Sequence, residues 1–111
     1  MALPAKNRLR KKRDFDRVFK EGNTIKGSFL FIKYSRAGTA VPRFGFVVPA
    51  RSFNKAVTRN RIKRALSEIV RKNLKNISNA VDAVIMVKKG KDKEISQELP
   101  ELLIRINLWV K

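Results

Sequence analysis

Apolar residues fall into short windows separated by polar turns, and the spacing inside each window names an element. Phe15, Val18 and Phe19 recur at the i, i+3, i+4 interval of a helix over Asp14 to Lys20. Asp14 suits a cap or first-turn acid there, and Gly22 suits the position just past the helix end. Asn23–Gly27 reads as a turn or a very short strand. Ser28–Ser35 alternates Phe29, Phe31 and Lys33 with Leu30, Ile32 and Tyr34, so it is a strand apolar on both faces and expected to be central. Ala37–Pro42 is expected to be a hairpin loop turning at Gly38. Strand Arg43–Val48 follows, and Pro49 closes its ladder. The clearest helix runs from Thr58 to about Lys75, with Ile62, Ala65, Leu66, Ile69 and Val70 as its apolar stripe. Asn60, Arg64, Ser67 and Arg71 lie opposite. Asn76–Asn79 is a loop, Val81–Val87 a β-rich apolar run, and Lys88–Lys93 a polar turn around Gly90. A last helix is expected to begin near Leu99, because Pro100 is tolerated in a first turn only. Leu99, Leu102, Leu103 and Ile106 form its buried stripe, and Trp109 is expected to pack its end on the body. The order α-β-β-β-α-β-α predicts a single α+β domain over 1–111, a small two-layer sandwich of helices on a sheet, with 1–13 as a basic N-terminal arm.

Charge changes the picture from fold to partner. The 27 Lys and Arg outweigh 9 Asp and Glu for a net charge of +18, with no His and no Cys. Missing thiols exclude disulfides and thiolate metal sites, and missing imidazoles remove the commonest general base. The cations are concentrated: Arg8, Arg10, Lys11, Lys12 and Arg13 in the arm, then a stretch between Glu21 and Asp82 whose one acid is Glu68. Such an excess repels itself and calls for a polyanion. All seven Phe and Tyr34 lie in the first half, interleaved with the cations, as expected of residues that stack unpaired bases or fill the core. Met1–Lys12 is followed by no apolar run, and stretches such as Ala83–Val87 fall far short of the roughly 20 residues of a spanning helix, so a cytoplasmic protein without membrane partner is expected.

One segment breaks a local rule. Lys55, Arg59, Arg61, Lys63 and Arg64 crowd a helix start, where the dipole disfavours cations by about 0.3–1 kcal/mol each when exposed. Glu68 offers only a weak i, i+4 partner to Arg64. A bound phosphate reverses the sign, since free N–H groups and guanidinium forks both seek it. The close acidic pairs, Asp14/Asp16, Asp92/Glu94 and Glu98/Glu101, do not read as a two-metal cluster; the last two look like solvated polar residues.

The run Phe44-Gly-Phe-Val-Val-Pro-Ala-Arg-Ser-Phe-Asn-Lys-Ala-Val-Thr-Arg-Asn-Arg-Ile-Lys-Arg64 closely resembles the signature of the bacterial ribonuclease P protein subunit. Arg59–Arg64 matches its Arg-Asn-Arg core. Asn7–Arg10, Asp14-Phe15 and Val18-Phe19 before Gly22 are similar to its opening. Asn54 stands where the family has a glycine, and Ser52 where it has a second basic residue. The resemblance implies a left-handed βαβ crossover and an RNA-based endonuclease that removes the 5′ leader of precursor tRNA, with no catalytic residue on the protein. It implies two RNA-contact surfaces. Arg51, Lys55, Arg59, Asn60, Arg61, Lys63 and Arg64 would face the catalytic RNA, Asn60 also making a specific polar or hydrated-metal contact. Phe15 and Phe19 on the helix, with Phe31, Ile32 or Tyr34 on the sheet, would line a cleft for the single-stranded leader; Phe15 and Phe19 serve equally as core. The partners implied are the ribonuclease P RNA, about one protein per RNA, and the precursor leader, with no obligate protein partner. Magnesium would be held with the RNA and no cofactor by the protein alone. The alternatives are a ribosomal-type structural RNA-binding protein and a duplex DNA binder.

Overall fold

A computed structural model describes residues 3–36, 40–77 and 80–109, the side chains of 76 and 107–109 excepted. Its elements are α1 (Lys12–Glu21), β1 (Asn23–Lys26), β2 (Leu30–Arg36), β3 (Arg43–Val47), α2 (Ala56–Asn73), β4 (Val81–Val87) and α3 (Asp92–Trp109). The Gly38 turn, residues 78 and 79 of the expected loop and the packing of Trp109 lie outside the described residues.

The sheet order is β1-β2-β4-β3. β2 pairs antiparallel with β1 and with β4, while β3 and β4 run parallel. β2 is central, as its two apolar faces demand. The expected β2–β3 hairpin does not form, because β4 inserts between the two strands. Val81–Val87 is buried at every position except Met86, and so apolar a strand belongs inside the sheet. Parallel β3 and β4 then need a crossover, which α2 supplies.

Alternation divides the side chains. Leu30, Ile32, Tyr34, Phe44, Phe46, Ile85 and Val87 form the main core with Ile62, Leu66 and Val70 of α2 and Ile95, Leu99, Leu102, Leu103 and Ile106 of α3. The sheet and these two helices make the expected two layers. On the other face α1 covers only part of the sheet, where Leu9, Val18 and Val84 are buried and Phe15, Val47 and Met86 pack at the edge.

Local rules fail at four places, each for a visible reason. Helix α3 begins at Asp92 and keeps Pro100 inside it. An interior proline costs about 3 kcal/mol, but burying Ile95, Leu99, Leu102, Leu103 and Ile106 returns about 1.5–3 kcal/mol for each. Glu98, expected to be solvated, accepts the amides of Ser28, Phe29 and Leu30 at 2.8–2.9 Å and ties α3 to the start of β2. The stripe of α2 is rotated: Ser67 is fully buried, its hydroxyl donating to the Arg64 carbonyl at 2.8 Å, while Ala65 is exposed. Gly22 has an ordinary extended φ of −77°, so it is not a left-handed cap. Its need for glycine is space, since a Cβ would collide with the carbonyls of Val18 and Tyr34.

The N-terminal arm is not free. Leu3, Asn7 and Leu9 are buried, the Leu9 amide donates to Phe44 O at 2.9 Å, and Asn7 Nδ2 donates to Pro42 O at 2.8 Å. Arg8 bridges alongside Phe44 and folds back on Leu3 O at 2.8 Å. The arm covers the edge of β3 and brings Arg10, Lys11, Lys12 and Arg13, all exposed, to the start of α1.

Candidate nucleic-acid interface

The rule-breaking segment folds as a turn running into an uncapped helix. Pro49 O accepts the amides of Ser52 and Phe53 at 3.3 and 3.0 Å, which leaves Arg51 exposed on the tip. Phe53 anchors the turn on the main core. Lys55 is the N-cap residue of α2, its side chain making no capping bond, and the first turn contains no acid. The ladder begins with the Arg59 amide on Lys55 O at 3.1 Å, so the amides of Ala56, Val57 and Thr58 precede it. Positive partial charge and the exposed cations Arg51, Lys55, Arg61 and Arg64 therefore meet at one helix end.

The sequence candidates here divide by role. Asn60, Arg61 and Arg64 lie together on the exposed face of α2, with Arg51 and Lys55 exposed before it. Arg59 points elsewhere: its Nη1 donates to Phe53 O at 2.8 Å and fastens the turn to the helix. Lys63 is half-buried. Glu68 pairs with Arg71, not with Arg64 as the i, i+4 spacing suggested, and Arg71 pulls its carboxyl below the ordinary range. Arg64 has no ion pair among the described residues. Arg61 does: its Nε donates to Asp92 Oδ2 at 2.7 Å, which holds the guanidinium still more firmly protonated.

The second surface lies between α1 and the sheet. The ring of Phe15 rests on Gly45, where any Cβ would strike it. Phe19, one turn on, is 37% exposed. Strand pairing sets Phe31 opposite Met86 and Lys33 opposite Val84 on this same face. Lys88 Nζ lies 5.7 Å from the centroid of the Phe31 ring. Phe15, Phe19 and Phe31 thus all lie on the α1 side of the sheet, each at least partly open. Tyr34 and Ile32 do not join them. The pleat sends both to the main core on the opposite face, where Tyr34 is 5% exposed. Lys33 is the residue the sequence reading missed; fixing which neighbour of Tyr34 faces α1 would have found it.

A buried ionic group sets the angle of α1. Asp82 is fully buried on β4. Arg43 grips it with Nε to Oδ1 at 2.8 Å and Nη2 to Oδ2 at 2.7 Å, and Arg17 reaches it from α1. Arg17 also donates to Arg36 O at 3.1 Å, and Asp14 stands 3.6 Å from Arg43 and 3.9 Å from Arg17. The bond to Asp82 raises the Arg43 pKa above its ordinary value. In the sequence Asp82 marks only the end of the basic stretch. The signal that could have found it is a lone charge inside an apolar strand, which is costly unless paired.

Comparisons fit this architecture. A family model described as Ribonuclease P matches residues 3–107. The ribonuclease P protein component of a Pseudanabaena species is 36% identical over 105 residues, covering 94% of this chain and 90% of that one. That of Thermotoga maritima is 34% identical over 104 residues, 94% of this chain and 81% of that one. The solved RNase P protein from Thermotoga maritima superposes with a TM-score of 0.77 at 33% identity, covering 88% of this chain and 96% of that one. The Staphylococcus aureus RNase P protein, at 24% identity and TM-score 0.79, shares the fold over 95% of this chain and 98% of its own. The ribosomal-type alternative falls on these matches, and the chain belongs to the ribonuclease P protein family, whose members are the protein component of that ribonucleoprotein.

Proposed function

We propose that this subunit supplies RNA contacts and no reacting group, the RNA subunit cleaving the 5′ leader from precursor tRNA. The observation that carries the reading is the uncapped start of α2, with Lys55, Asn60, Arg61 and Arg64 exposed on it and no acid in its first turn. This is the surface for the RNA subunit, one protein per RNA, with Arg51 on the preceding turn and Arg59 and Lys63 shaping it. The surface with Phe15, Phe19, Phe31 and Lys33 takes unpaired leader bases, which stack on aromatic rings whatever their sequence. Arg10, Lys11, Lys12 and Arg13 at the start of α1 add phosphate contacts at its end.

The carboxylates fit the same division of labour. Asp14 and Asp82 are neutralised by Arg17 and Arg43, and Asp92 and Glu68 by Arg61 and Arg71. Among the described residues no group of three or more acids could hold a metal ion. Magnesium is assigned to the RNA, whose phosphates supply the oxygen ligands it favours. The same holoenzyme works in the cytoplasm without an obligate protein partner. Precursor tRNA cleavage by a bacterial ribonuclease P RNA, at low magnesium with and without this protein, tests the whole reading. Added protein should raise cleavage and substrate affinity; no gain in either defeats it.

A further inference from the structure

Arg61 differs from its neighbours on the exposed face of α2. Its guanidinium already holds an anion, with Nε to Asp92 Oδ2 at 2.7 Å and Nη2 to Oδ1 at 3.4 Å. That side-on, two-point geometry is the one a phosphate takes on an arginine fork. The pair is open to water, the side chains being 54% and 48% exposed, so it forms and breaks easily.

Asp92 is held in place independently of Arg61. It is the first residue of α3, where the helix dipole favours an anion. Capping that helix falls to Glu94, which accepts the Lys91 amide at 2.9 Å. Lys91 and Lys93 flank Asp92 in sequence. When Arg61 leaves, Asp92 therefore keeps a favourable position and stays beside the helix. No other ion pair among the described residues reaches the segment from Lys55 to Arg64.

We propose that Asp92 is a built-in phosphate mimic: it occupies the Arg61 fork in the free protein and is displaced when Arg61 takes an RNA phosphate. The inference rests on reading α2 as the RNA-contacting face. Its consequence is discrimination. For Arg61, RNA binding exchanges one anion for another, so a loosely fitting polyanion gains little from this residue. A folded RNA that sets a phosphate squarely in the fork gains more. Asp92 thereby lowers affinity for the wrong RNA more than for the right one.

A double-mutant cycle tests it, using the whole chain with Asp92→Asn, Arg61→Ala and both together. Asn keeps a first-turn polar group, and Asp92→Ser repeats the readout with a different side chain should Asn disturb α3. Binding is measured across a salt titration against folded bacterial ribonuclease P RNA and against random-sequence single strands. Asp92→Asn should tighten binding by about two- to fivefold at low salt, the scale of an exposed pair, and more for the random strands. It should also steepen the salt dependence, since no carboxylate is left to recapture a cation. Both effects should vanish in the Arg61→Ala background. Equal tightening in that background reduces Asp92 to general charge and overturns the inference. Weaker binding by Asp92→Asn also overturns it, by making Asp92 a support for Arg61. A different result, Arg61→Ala changing neither affinity nor salt slope with Asp92 or Asn at position 92, defeats the reading of the α2 face itself.

Discussion

Replacing Asp82 by Asn keeps the shape of the side chain and removes the charge that Arg17 and Arg43 share. Asp82 is wholly inaccessible, and the side chains of Arg43 and Arg17 are 18% and 30% exposed. The substitution therefore strands two largely covered cations, with only Asp14 at 3.6 and 3.9 Å to compensate. Breaking a buried pair by removing one partner costs about 3–5 kcal/mol. Arg17 can swing into water and Asp14 remains, so about 2–4 kcal/mol is expected here. For a chain of this size each kcal/mol moves Tm by about 4 °C or more, giving a fall on the order of 10 °C. Arg17→Met should cost less, about 1 kcal/mol, because Arg43 still grips both oxygens of Asp82. Urea and thermal unfolding followed by circular dichroism measure both, in a buffer free of multivalent anions. Leader affinity should fall with Asp82→Asn even well below Tm, because the same bonds fix α1 over the sheet. Stability within 0.5 kcal/mol of the parent would refute the assignment of Asp82 as the tie between α1, β3 and β4. So would an Arg17→Met effect larger than that of Asp82→Asn.

Arg64→Ala should weaken binding to the ribonuclease P RNA and flatten its log–log salt dependence by roughly 0.7–0.9, one phosphate contact; an unchanged slope removes Arg64 from the contact set. Phe19→Ala should weaken binding of a single-stranded leader by about 1–3 kcal/mol, while Tyr34→Phe should leave it alone, and equal losses would contradict the placement of Tyr34 on the far face of the sheet. With a net charge of +18, the free protein should melt higher in sulfate than in chloride at equal ionic strength; indifference to the anion would show that its cations do not share anion sites.

Elements governed by local patterning were legible in the sequence. The alternation of Ser28–Ser35, the run Val81–Val87 and the spacing of Ile62, Leu66 and Val70 each gave the right element within a few residues. What stayed hidden depends on partners far along the chain. No local signal says that β4 enters between β2 and β3, because the choice is made by burial across the whole sheet. Tyr34 was misplaced because β2 is apolar on both faces, and the pattern does not say which face meets α1. The start of α3 was hidden by Pro100, whose cost is local while the compensating contacts of Ile95 and Glu98 are long-range. Arg59 shows the same limit inside the best-recognised motif: spacing put it on the basic run, and only the Phe53 carbonyl shows that it fastens the turn.

The local surplus of charge at the start of α2 has a structural origin that composition alone conceals. The acids are not a diluted counterweight spread over the surface. Asp82 and Asp14 bind arginines between α1 and the sheet, Glu98 binds three strand amides, and Glu94 caps α3. Asp16 and Glu68 sit on Lys12 and Arg71 within their own helices. Most acids are thus spent inside the fold or along one helix, and few face the start of α2. Arg51, Lys55 and Arg64, before and at the start of α2, are exposed and form no ion pair among the described residues. Of the acids, Asp92 alone, among the described residues, pairs with the first two turns of α2, through Arg61. A substitution that adds a carboxylate on that face should therefore weaken RNA binding far more than the same change on α3. The interface is made as much by where this chain keeps its acids as by how many bases it has.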